Sequence, residues 1–508
     1  MTLNLKINIW TEALLACSVA CLVLILPSIV SDELMNGTQS GKFFFFTYSL
    51  LGILILWSVG LLFKKEINFH FTIIDLLLAL FVGWVSLNKY LLHDVHALSL
   101  RYFELLGLFI LYIIVRCVGR KYYILFLVAI CIAGLVQAIY GNLQLWGYYP
   151  SHHGLFKMTG SFFNPGPFAG FLCCVLPVAV GLYWSLKDYT LQVSSLKGLM
   201  GKSFEWFEVS RLKSLKATPF EEFEREASNA KPQTRSLERK SSNLLPVIIK
   251  YLSLCTIIAI LLVLPAARSR AAWLGALAGC AFIVWHKYNL KQFFKQARQT
   301  AKPSNMSEAN IKPSNGIAIK LFKRVISFRN RTIVAILALM LLAGSLSLYL
   351  YKKDSADGRM LIWTVTANII KDSPLLGVGQ DLFKAHYMNY QADYFRSHPN
   401  RKYEQVADDN QYAFNEILNT WAENGFVGFL LFIGIVVAIF FSVLNHKEHD
   451  GIINHEGHED HEEKYEVGES QLTMVNLKPE TITKASILAI LVFGMFAYPS
   501  EILPIKIV

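Results

Sequence analysis

Long apolar segments recur along the whole chain and alternate with segments rich in charged and polar residues. The hydrocarbon core of a bilayer is about 30 Å thick, and a helix needs about 20 apolar residues to cross it. The chain ends on a further apolar stretch, Ile502 to Val508, which resembles the start of another span. The pattern predicts an all-α polytopic membrane protein with about 11 to 12 transmembrane helices. The predicted spans are residues 8–30, 43–63, 71–93, 98–117, 122–146, 166–186, 246–264, 271–288, 332–350, 425–444 and 483–500.

The composition supports a membrane protein. Hydrophobic residues make up 54% of the chain and charged residues 17%, with a mean hydropathy of +0.40, whereas a soluble domain has about 25% charged residues. The first apolar run is too long for a signal-peptide core and lacks a small-residue cleavage site, so we expect a retained helix. All eight cysteines lie in or beside apolar runs. This placement indicates buried thiols, with no disulfide framework and no Cys-based metal site.

Lysine and arginine concentrate in a few loops, and these loops set the predicted orientation because cytoplasmic loops keep positive charge. Residues 187–240 carry eleven Lys and Arg against eight acidic residues. Residues 287–331 carry eleven against the single acid Glu308. Two short turns, at 64–65 and 116–121, are basic as well. We therefore place these four loops and the N-terminus in the cytoplasm.

This orientation divides the chain into four parts. Residues 1–146 hold the first five transmembrane helices, and residues 147–350 hold helices six to nine with basic cytoplasmic loops at 187–245 and 289–331. Residues 351–424 form a large helical loop on the outer side, and residues 425–508 hold the C-terminal helices with an acidic, His-rich cytoplasmic loop at 445–482. The segments left outside are 31–42, 94–97, 147–165, 265–270 and 351–424.

The net charge of +11 is explained by this topology and by affinity for anionic membrane lipids, so no nucleic-acid partner is predicted. The loop at 445–470 carries five histidines among many acidic residues. A His-rich tract can bind metal, but the spacing of these histidines is irregular. We interpret the loop as a solvated acidic linker, and we predict neither a metal nor a cofactor.

Two arginines stand between apolar segments on the predicted outer side. Arg268 and Arg270 lie in the run Leu-Pro-Ala-Ala-Arg-Ser-Arg-Ala-Ala-Trp at 264–273. An arginine at membrane depth costs about 2.5–3.5 kcal/mol on insertion scales, so a partner must offset that cost. Snorkelling to lipid phosphate is one interpretation. We favour a site for an anionic ligand, because the pair breaks the positive-inside trend.

A third arginine, Arg359, lies near the start of the large outer loop. A helix is predicted over 359–371, ending at Asp372 before the turn Gly377-Val378-Gly379. Arg359 would then lie in the first turn of this helix, beside backbone N–H groups that also favour anions.

Residues 159–170 are rich in Pro and Gly and lead from a predicted outer loop into a span. Asn164 precedes the sequence Pro-Gly-Pro, which favours a tight start of a helix. The side chain of Asn164 is predicted either to cap that helix or to contact a ligand.

Guanidinium groups at an outer membrane surface, beside a loop of over seventy residues, suit an anionic ligand. Loops of this length are usually functional, and arginine holds phosphate oxygens bidentately. A lipid-linked diphosphate fits best, since its tail lies in the bilayer and its anion at the interface. A transporter or flippase of an anionic solute or lipid is the alternative. The clean spans and the lack of a visible internal repeat count against it.

Short motifs follow one another in a fixed order along the chain. They are Gly160-Ser161-Phe162 with Asn164-Pro165, Ser269-Arg270-Ala271, Gly358-Arg359 with Trp363, Pro374 with Gly377 and Gly379, and Asn415-Glu416-Ile417-Leu418 with Glu423-Asn424-Gly425. In this order, and on one predicted side of the membrane, they resemble the O-antigen ligase and polymerase superfamily of bacterial envelope glycosyltransferases. The resemblance covers roughly residues 150–440.

The resemblance implies a class C-like glycosyltransferase in the bacterial inner membrane that works without a metal. The donor would be a glycan on polyprenyl pyrophosphate, and the acceptor a hydroxyl of the lipid A core, a growing glycan or a protein, at the periplasmic face. Arg270 and Arg359 would bind the pyrophosphate and stabilise its charge as it leaves. The further candidate substrate contacts are Arg268, Asn164, Asn415 and Glu416.

One position departs from the family pattern. The family has a histidine immediately before the residue that matches Asn415, and Phe414 stands there in this chain. A phenyl ring cannot accept a proton. We favour replacement by Asp408 or Asp409, which lie six and five residues upstream. The alternatives are His398 or Glu416 as the base, catalysis by the arginines alone, and a non-catalytic relative.

Overall fold

The computed structural model describes residues 2–63, 70–96, 99–185, 245–287, 353–398, 401–441 and 477–508. The basic turn at 64–65, the predicted span 332–350 and the histidines of the acidic loop lie outside these residues. Most of the loops 187–245 and 289–331, which are predicted to be cytoplasmic, lie outside them as well.

Within the described residues every regular element is a helix, and no strand occurs. The N-terminal helices are α1 (Thr2–Ile25), α2 (Gly37–Phe63), α3 (Ile73–Leu87), α4 (Leu100–Arg116), α5 (Tyr123–Leu145) and α6 (Pro165–Ser185). They are followed by α7 (Leu245–Val263), α8 (Arg270–Lys287), α9 (Lys353–Asp372), α10 (Phe383–Ser397), α11 (Glu416–Phe441), α12 (Pro479–Gly494) and the short α13 (Leu503–Lys506).

Seven helical segments in the described ranges are long and apolar enough to cross a membrane. Three more predicted spans form the helices α4, α8 and α12, which are 17, 18 and 16 residues long. The prediction of an all-α polytopic membrane protein is confirmed. The seven segments are Trp10–Ser28, Gly37–Leu62, Ile73–Leu92, Arg120–Leu145, Pro165–Ser185, Leu245–Val263 and Glu416–Phe441.

The chain forms two compact units. The first comprises Met1–Gly83, Leu98–Lys287 and Leu431–Val508, and the second comprises Trp84–Ala97 and Tyr288–Leu430. Each unit has buried apolar clusters of its own.

In the first unit, α6 lies at the centre of the core, with 83% of its span buried. It packs against α8 and α12. Small residues let these backbones approach closely, as is common between membrane helices. A Cβ atom added at Gly275 would lie 2.6 Å from the carbonyl oxygen of Ala489, and one added at Gly279 would lie 2.7 Å from that of Ala485. Glycine is therefore required at both positions.

The C-terminal residues of the first unit pack against α4. The Nε atom of Arg101 lies 2.7 Å from a carboxylate oxygen of Glu501, and Lys506 forms an ion pair with Glu104. All four side chains are largely shielded from solvent. The apolar stretch Ile502–Val508, predicted to begin another span, contains the single helical turn α13, whose apolar residues are buried.

In the second unit the large loop is helical, as predicted. Leu361, Val365 and Ile369 recur every four residues along one face of α9 and are fully buried. They share a core with Phe383 and Tyr387 of α10. α9 ends at Asp372, where the sequence predicted it to end, but it begins at Lys353, six residues before the predicted start.

In the second unit, the glycine turn at 377–379 packs closely against the kink of α11. Gly377 and Gly379 adopt φ angles of +72° and +100°, and α11 is kinked at Gly425, where φ is +65°. The N–H of Gly379 donates to the carbonyl of Glu423 at 2.9 Å. A Cβ atom at Gly425 would lie 2.1 Å from the carbonyl oxygen of Leu375. The left-handed backbone and the close approach both require glycine here.

Candidate functional site

Arg270 is the first residue of α8. A tight turn connects α7 to α8, in which the N–H of Arg268 donates to the carbonyl of Pro265 at 3.1 Å and Arg268 adopts a φ of +50°. The carbonyl of Ser269 accepts from the N–H of Trp273 at 3.1 Å, so Ser269 caps the helix. Arg268 is exposed and Arg270 is half-buried. The turn thus presents two guanidinium groups at the start of a helix.

Arg359 is the seventh residue of α9, because this helix begins at Lys353. The prediction that Arg359 lies in the first turn of its helix is therefore wrong. Residues 353–358 (Lys-Asp-Ser-Ala-Asp-Gly) are polar but already helical. The prediction began the helix only where apolar residues start to recur. Arg359 is half-buried in the second unit. Of the two arginines matched to the family, Arg270 is the one at a helix N-terminus.

Asn164 and Asn415 both cap helices. The side-chain oxygen of Asn164 accepts from the N–H of Gly166 at 2.9 Å, at the start of α6. The side-chain oxygen of Asn415 accepts from the N–H groups of Ile417 and Leu418 at 3.0 and 3.1 Å, at the start of α11. The capping interpretation of Asn164 is confirmed.

Asp408 and Asp409 are exposed on the segment that leads into α11. A carboxylate oxygen of Asp408 accepts from the N–H of Asp409 at 2.8 Å. The side-chain amide of Asn410 donates to the carbonyl of Asp408 at 2.9 Å and lies 3.5 Å from the hydroxyl of Tyr387. Burial, with a smaller contribution from the charge of Asp408, raises the pKa of Tyr387 to about 12. Tyr387 is therefore a protonated hydroxyl at neutral pH.

Phe414 adopts a left-handed backbone conformation with φ of +50°. Such a conformation is unfavourable for a bulky residue and persists only where neighbours hold it. The N–H of the buried Ala413 donates to the side-chain oxygen of Asn419 at 3.2 Å, and the Asn419 amide lies 3.4 Å from a carboxylate oxygen of Glu423. Both side chains are buried within α11. They fix the backbone immediately before Phe414.

The sequence analysis named Glu423 only as part of a family motif and did not name Asn419, although polar residues at the start of an apolar helix are a usable signal. It also treated the spans as free of charge and placed Lys42 in the outer segment 31–42, before the second span. Lys42, in α2, is 2% exposed, and its ammonium donates to the carbonyls of Ile29, Thr38 and Ser161 at 2.7, 2.8 and 2.7 Å.

A second buried charge lies in α3. Asp75 is 5% exposed and accepts hydrogen bonds from the Tyr112 hydroxyl at 2.5 Å, from the Thr72 hydroxyl at 2.6 Å and from the Arg116 guanidinium at 3.1 Å. A buried charge needs such partners. Both Lys42 and Asp75 are therefore part of the fold, each with its hydrogen-bonding capacity used within the protein.

The predicted site residues fall into two sets. Arg268, Arg270 and Asn164 belong to the first unit. The second unit holds Arg359, Asp408, Asp409, Asn415 and Glu416, the last four along the single segment that enters α11. Among the described residues, no group of three or more His, Cys, Asp or Glu side chains is arranged to hold a metal ion.

These helices define a multi-pass membrane protein. Most of its candidate cationic and carboxylate groups lie on short segments that lead into helices. Residues 255–433 match the family model described as O-Antigen ligase. The resemblance to the O-antigen ligase and polymerase superfamily is thereby confirmed, and seven of the eight predicted site residues lie within the matched range, the exception being Asn164. The family implies a glycosyltransferase of the ligase or polymerase type, with a glycan donor and an acceptor in a membrane context. No curated protein matches the chain.

Proposed function

We propose that this protein transfers a glycan from polyprenyl pyrophosphate to an acceptor hydroxyl at the periplasmic face of the bacterial inner membrane. Arg270 and Arg359 are the cations that bind the pyrophosphate. The acceptor is a hydroxyl of the lipid A core, of a growing glycan or of a protein. The proposal rests on the family match over residues 255–433 together with the placement of Arg270.

The placement of Arg270 at the first position of α8 carries the proposal. The N-terminus of a helix bears a partial positive charge, so a cation there is unfavourable by about 0.3–1 kcal/mol. The first turn of α8 contains no acidic residue. A bound anion reverses the balance, because the guanidinium and the N–H groups at the start of a helix both favour an anion. This arrangement suits a diphosphate better than a neutral ligand.

The reaction requires little beyond charge stabilisation and a proton acceptor. The acceptor oxygen attacks the anomeric carbon of the donor sugar, and the bond between that carbon and the pyrophosphate oxygen breaks. The pyrophosphate leaves with the electron pair, and the arginines stabilise its charge. The hydroxyl proton passes to a base, for which exposed Asp408 and Asp409 are the candidates.

Two of the buried charges, Lys42 and Asp75, give the transport alternative no support. A substrate pathway needs polar groups that can exchange partners. The ammonium of Lys42 is satisfied by three backbone carbonyls, and Asp75 by three side chains. Both arrangements stabilise a fixed structure.

Transfer by the purified protein tests the proposal directly. The full chain in lipid nanodiscs is incubated with a polyprenyl-pyrophosphate glycan and, separately, with lipid A core, free glycan and a hydroxyl-bearing peptide as acceptors. We expect release of polyprenyl pyrophosphate that depends on one acceptor and persists in EDTA. Failure of every acceptor to give release would contradict the glycosyltransferase and favour the non-catalytic alternative.

A further inference from the structure

The outer loop that follows α5 is anchored by one buried amide. The side-chain oxygen of Gln144 accepts from the N–H groups of Thr159 and Gly160 at 3.0 and 2.7 Å. Its NH₂ group donates to the carbonyls of Pro150 and Gly160 at 3.0 and 3.1 Å. All four hydrogen-bonding positions of the amide are therefore used. Gln144 ties both ends of residues 147–160 to the last turn of α5, so the loop is preformed.

The end of α5 turns three aromatic residues away from the helix. Gly147 adopts a φ of +84°, its N–H donates to the carbonyl of Gln144 at 3.0 Å, and the N–H of Tyr148 donates to the carbonyl of Leu143 at 2.9 Å. This is the Schellman arrangement that ends a helix. Trp146, Tyr148 and Tyr149 flank the glycine and are 66%, 73% and 52% exposed.

These three residues line one open groove. The groove has a volume of about 620 Å³, within the range of about 300–1,000 Å³ that small-molecule sites occupy. Its polar groups include Ser151 and Lys157, and its lining contains one cation and no carboxylate. The Tyr149 ring packs on the Tyr140 ring with centroids 5.7 Å apart, which limits its motion.

We propose that this groove binds a sugar residue of the glycan substrate, remote from the bond that reacts. The inference rests on the proposed glycosyltransferase function and adds a subsite to it. A pyranose ring has an apolar C–H face and a rim of hydroxyls. The face of an aromatic ring carries negative charge and attracts C–H edges, while the ammonium of Lys157 can donate hydrogen bonds at the rim. The single positive charge fits a neutral or acidic sugar.

Tryptophan and tyrosine also concentrate where membranes meet water, so anchoring to lipid headgroups is the competing explanation. Two features favour the sugar. The aromatic residues share a concavity with polar groups, and the loop is rigid before any ligand binds. A preformed site loses less conformational entropy on binding.

Binding is measured apart from catalysis by saturation-transfer NMR. The full chain in nanodiscs is mixed with the free oligosaccharide released by mild acid from the donor and, separately, with deacylated core oligosaccharide. We expect saturation of sugar C–H protons by the wild type. The Trp146→Ala/Tyr148→Ala variant should weaken binding by at least about five-fold. Leu155→Ala is the matched control, because Leu155 lies in the same loop, is 87% exposed and does not line the groove.

A conservative variant separates a lost contact from a misfolded loop. Trp146→Phe/Tyr148→Phe keeps both rings and should retain binding within about two-fold of the wild type. The groove variants should raise KM for the partner whose oligosaccharide binds and leave kcat unchanged, which identifies the donor or the acceptor as the source. Unchanged sugar binding in the alanine variant, with a lower unfolding temperature in nanodiscs, would overturn the proposal in favour of a membrane anchor. Sugar binding by a protein that transfers nothing would contradict the glycosyltransferase but leave the groove intact.

Discussion

At the scale of single residues, Arg270 and Arg359 differ in their surroundings although both lie within the range that matches the family model. Arg270 begins α8, and Arg359 lies two turns inside α9. Arg268, two residues from Arg270, is exposed on a left-handed backbone. The three arginines therefore have different local surroundings, and we expect them to differ in their importance for glycan transfer.

Replacing Arg270 or Arg359 by alanine should lower glycan transfer by about 10²–10³-fold, the usual cost of removing one group that stabilises developing charge. Lysine should restore only part of the activity at either position, since it lacks the bidentate fork. Arg268→Ala is the control and should retain most of the activity. The rate of polyprenyl pyrophosphate release is the measurement. Near-full activity in both alanine variants would exclude these arginines from the pyrophosphate site.

Replacing Asp408 or Asp409 by asparagine should lower turnover by about 10²–10⁴-fold if that carboxylate is the base. Donor binding should change little, because neither residue is proposed to contact the pyrophosphate. If a carboxylate is the base, Phe414→His should have little effect, since the proposal then has an acceptor site built around a ring that takes no proton, on a backbone that Asn419 holds through Ala413. The kcat and KM of each variant provide the measurement. Activity that survives loss of both aspartates would leave the arginines as the whole mechanism.

At the scale of helices, a single substitution can test the close contact of α8 with its neighbours in the first unit. A Cβ atom at Gly279 would meet the side chain of Pro177 at 2.4 Å and the carbonyl of Ala485 at 2.7 Å. The carbonyl belongs to a helix backbone and cannot move by a rotamer change. The helices must separate instead.

Gly279→Ala should therefore destabilise the protein by about 1–3 kcal/mol, the usual cost of overpacking a core. Gly52→Ala is the matched control, because Gly52 also lies in a membrane helix and a Cβ there would meet nothing within 4 Å. Thermal unfolding of both variants in the same detergent measures the difference. Equal unfolding temperatures would mean that α8 and α12 are not packed this closely.

At the scale of the whole molecule, the open question is which face of the membrane each loop occupies. The positive charges of the 187–240 and 287–331 loops predict that residues 147–165 and 351–424 lie outside. The C-terminal ion pairs of Arg101 with Glu501 and of Lys506 with Glu104 belong to the fold of the first unit and do not decide this orientation.

Single cysteines in a Cys-free background test the orientation. Leu155→Cys and Ser397→Cys, both at exposed positions, should react with an impermeant maleimide in intact cells. Ser304→Cys should react only after permeabilisation. Labelling of Ser304→Cys in intact cells would reverse the topology and place the arginines of the α7–α8 turn on the cytoplasmic side.

The helical class and the approximate spans follow from the local pattern, because a backbone in lipid must satisfy its hydrogen bonds within a helix and about 20 apolar residues suffice to cross. The glycine turn after α9 and the cap at Asn164 were predicted for the same reason, since both depend on neighbours in the chain. The family motifs around Arg270 and Arg359 were also visible in the sequence.

Tertiary structure decided the features that depend on residues far apart in sequence. Gly425 needs its left-handed backbone because the carbonyl of Leu375 lies against it. Lys42 is tolerated in the core because Ser161, 119 residues away, supplies one of its carbonyls. A buried charge or a close backbone contact is stable only when distant groups satisfy it, and those groups meet only in the folded protein.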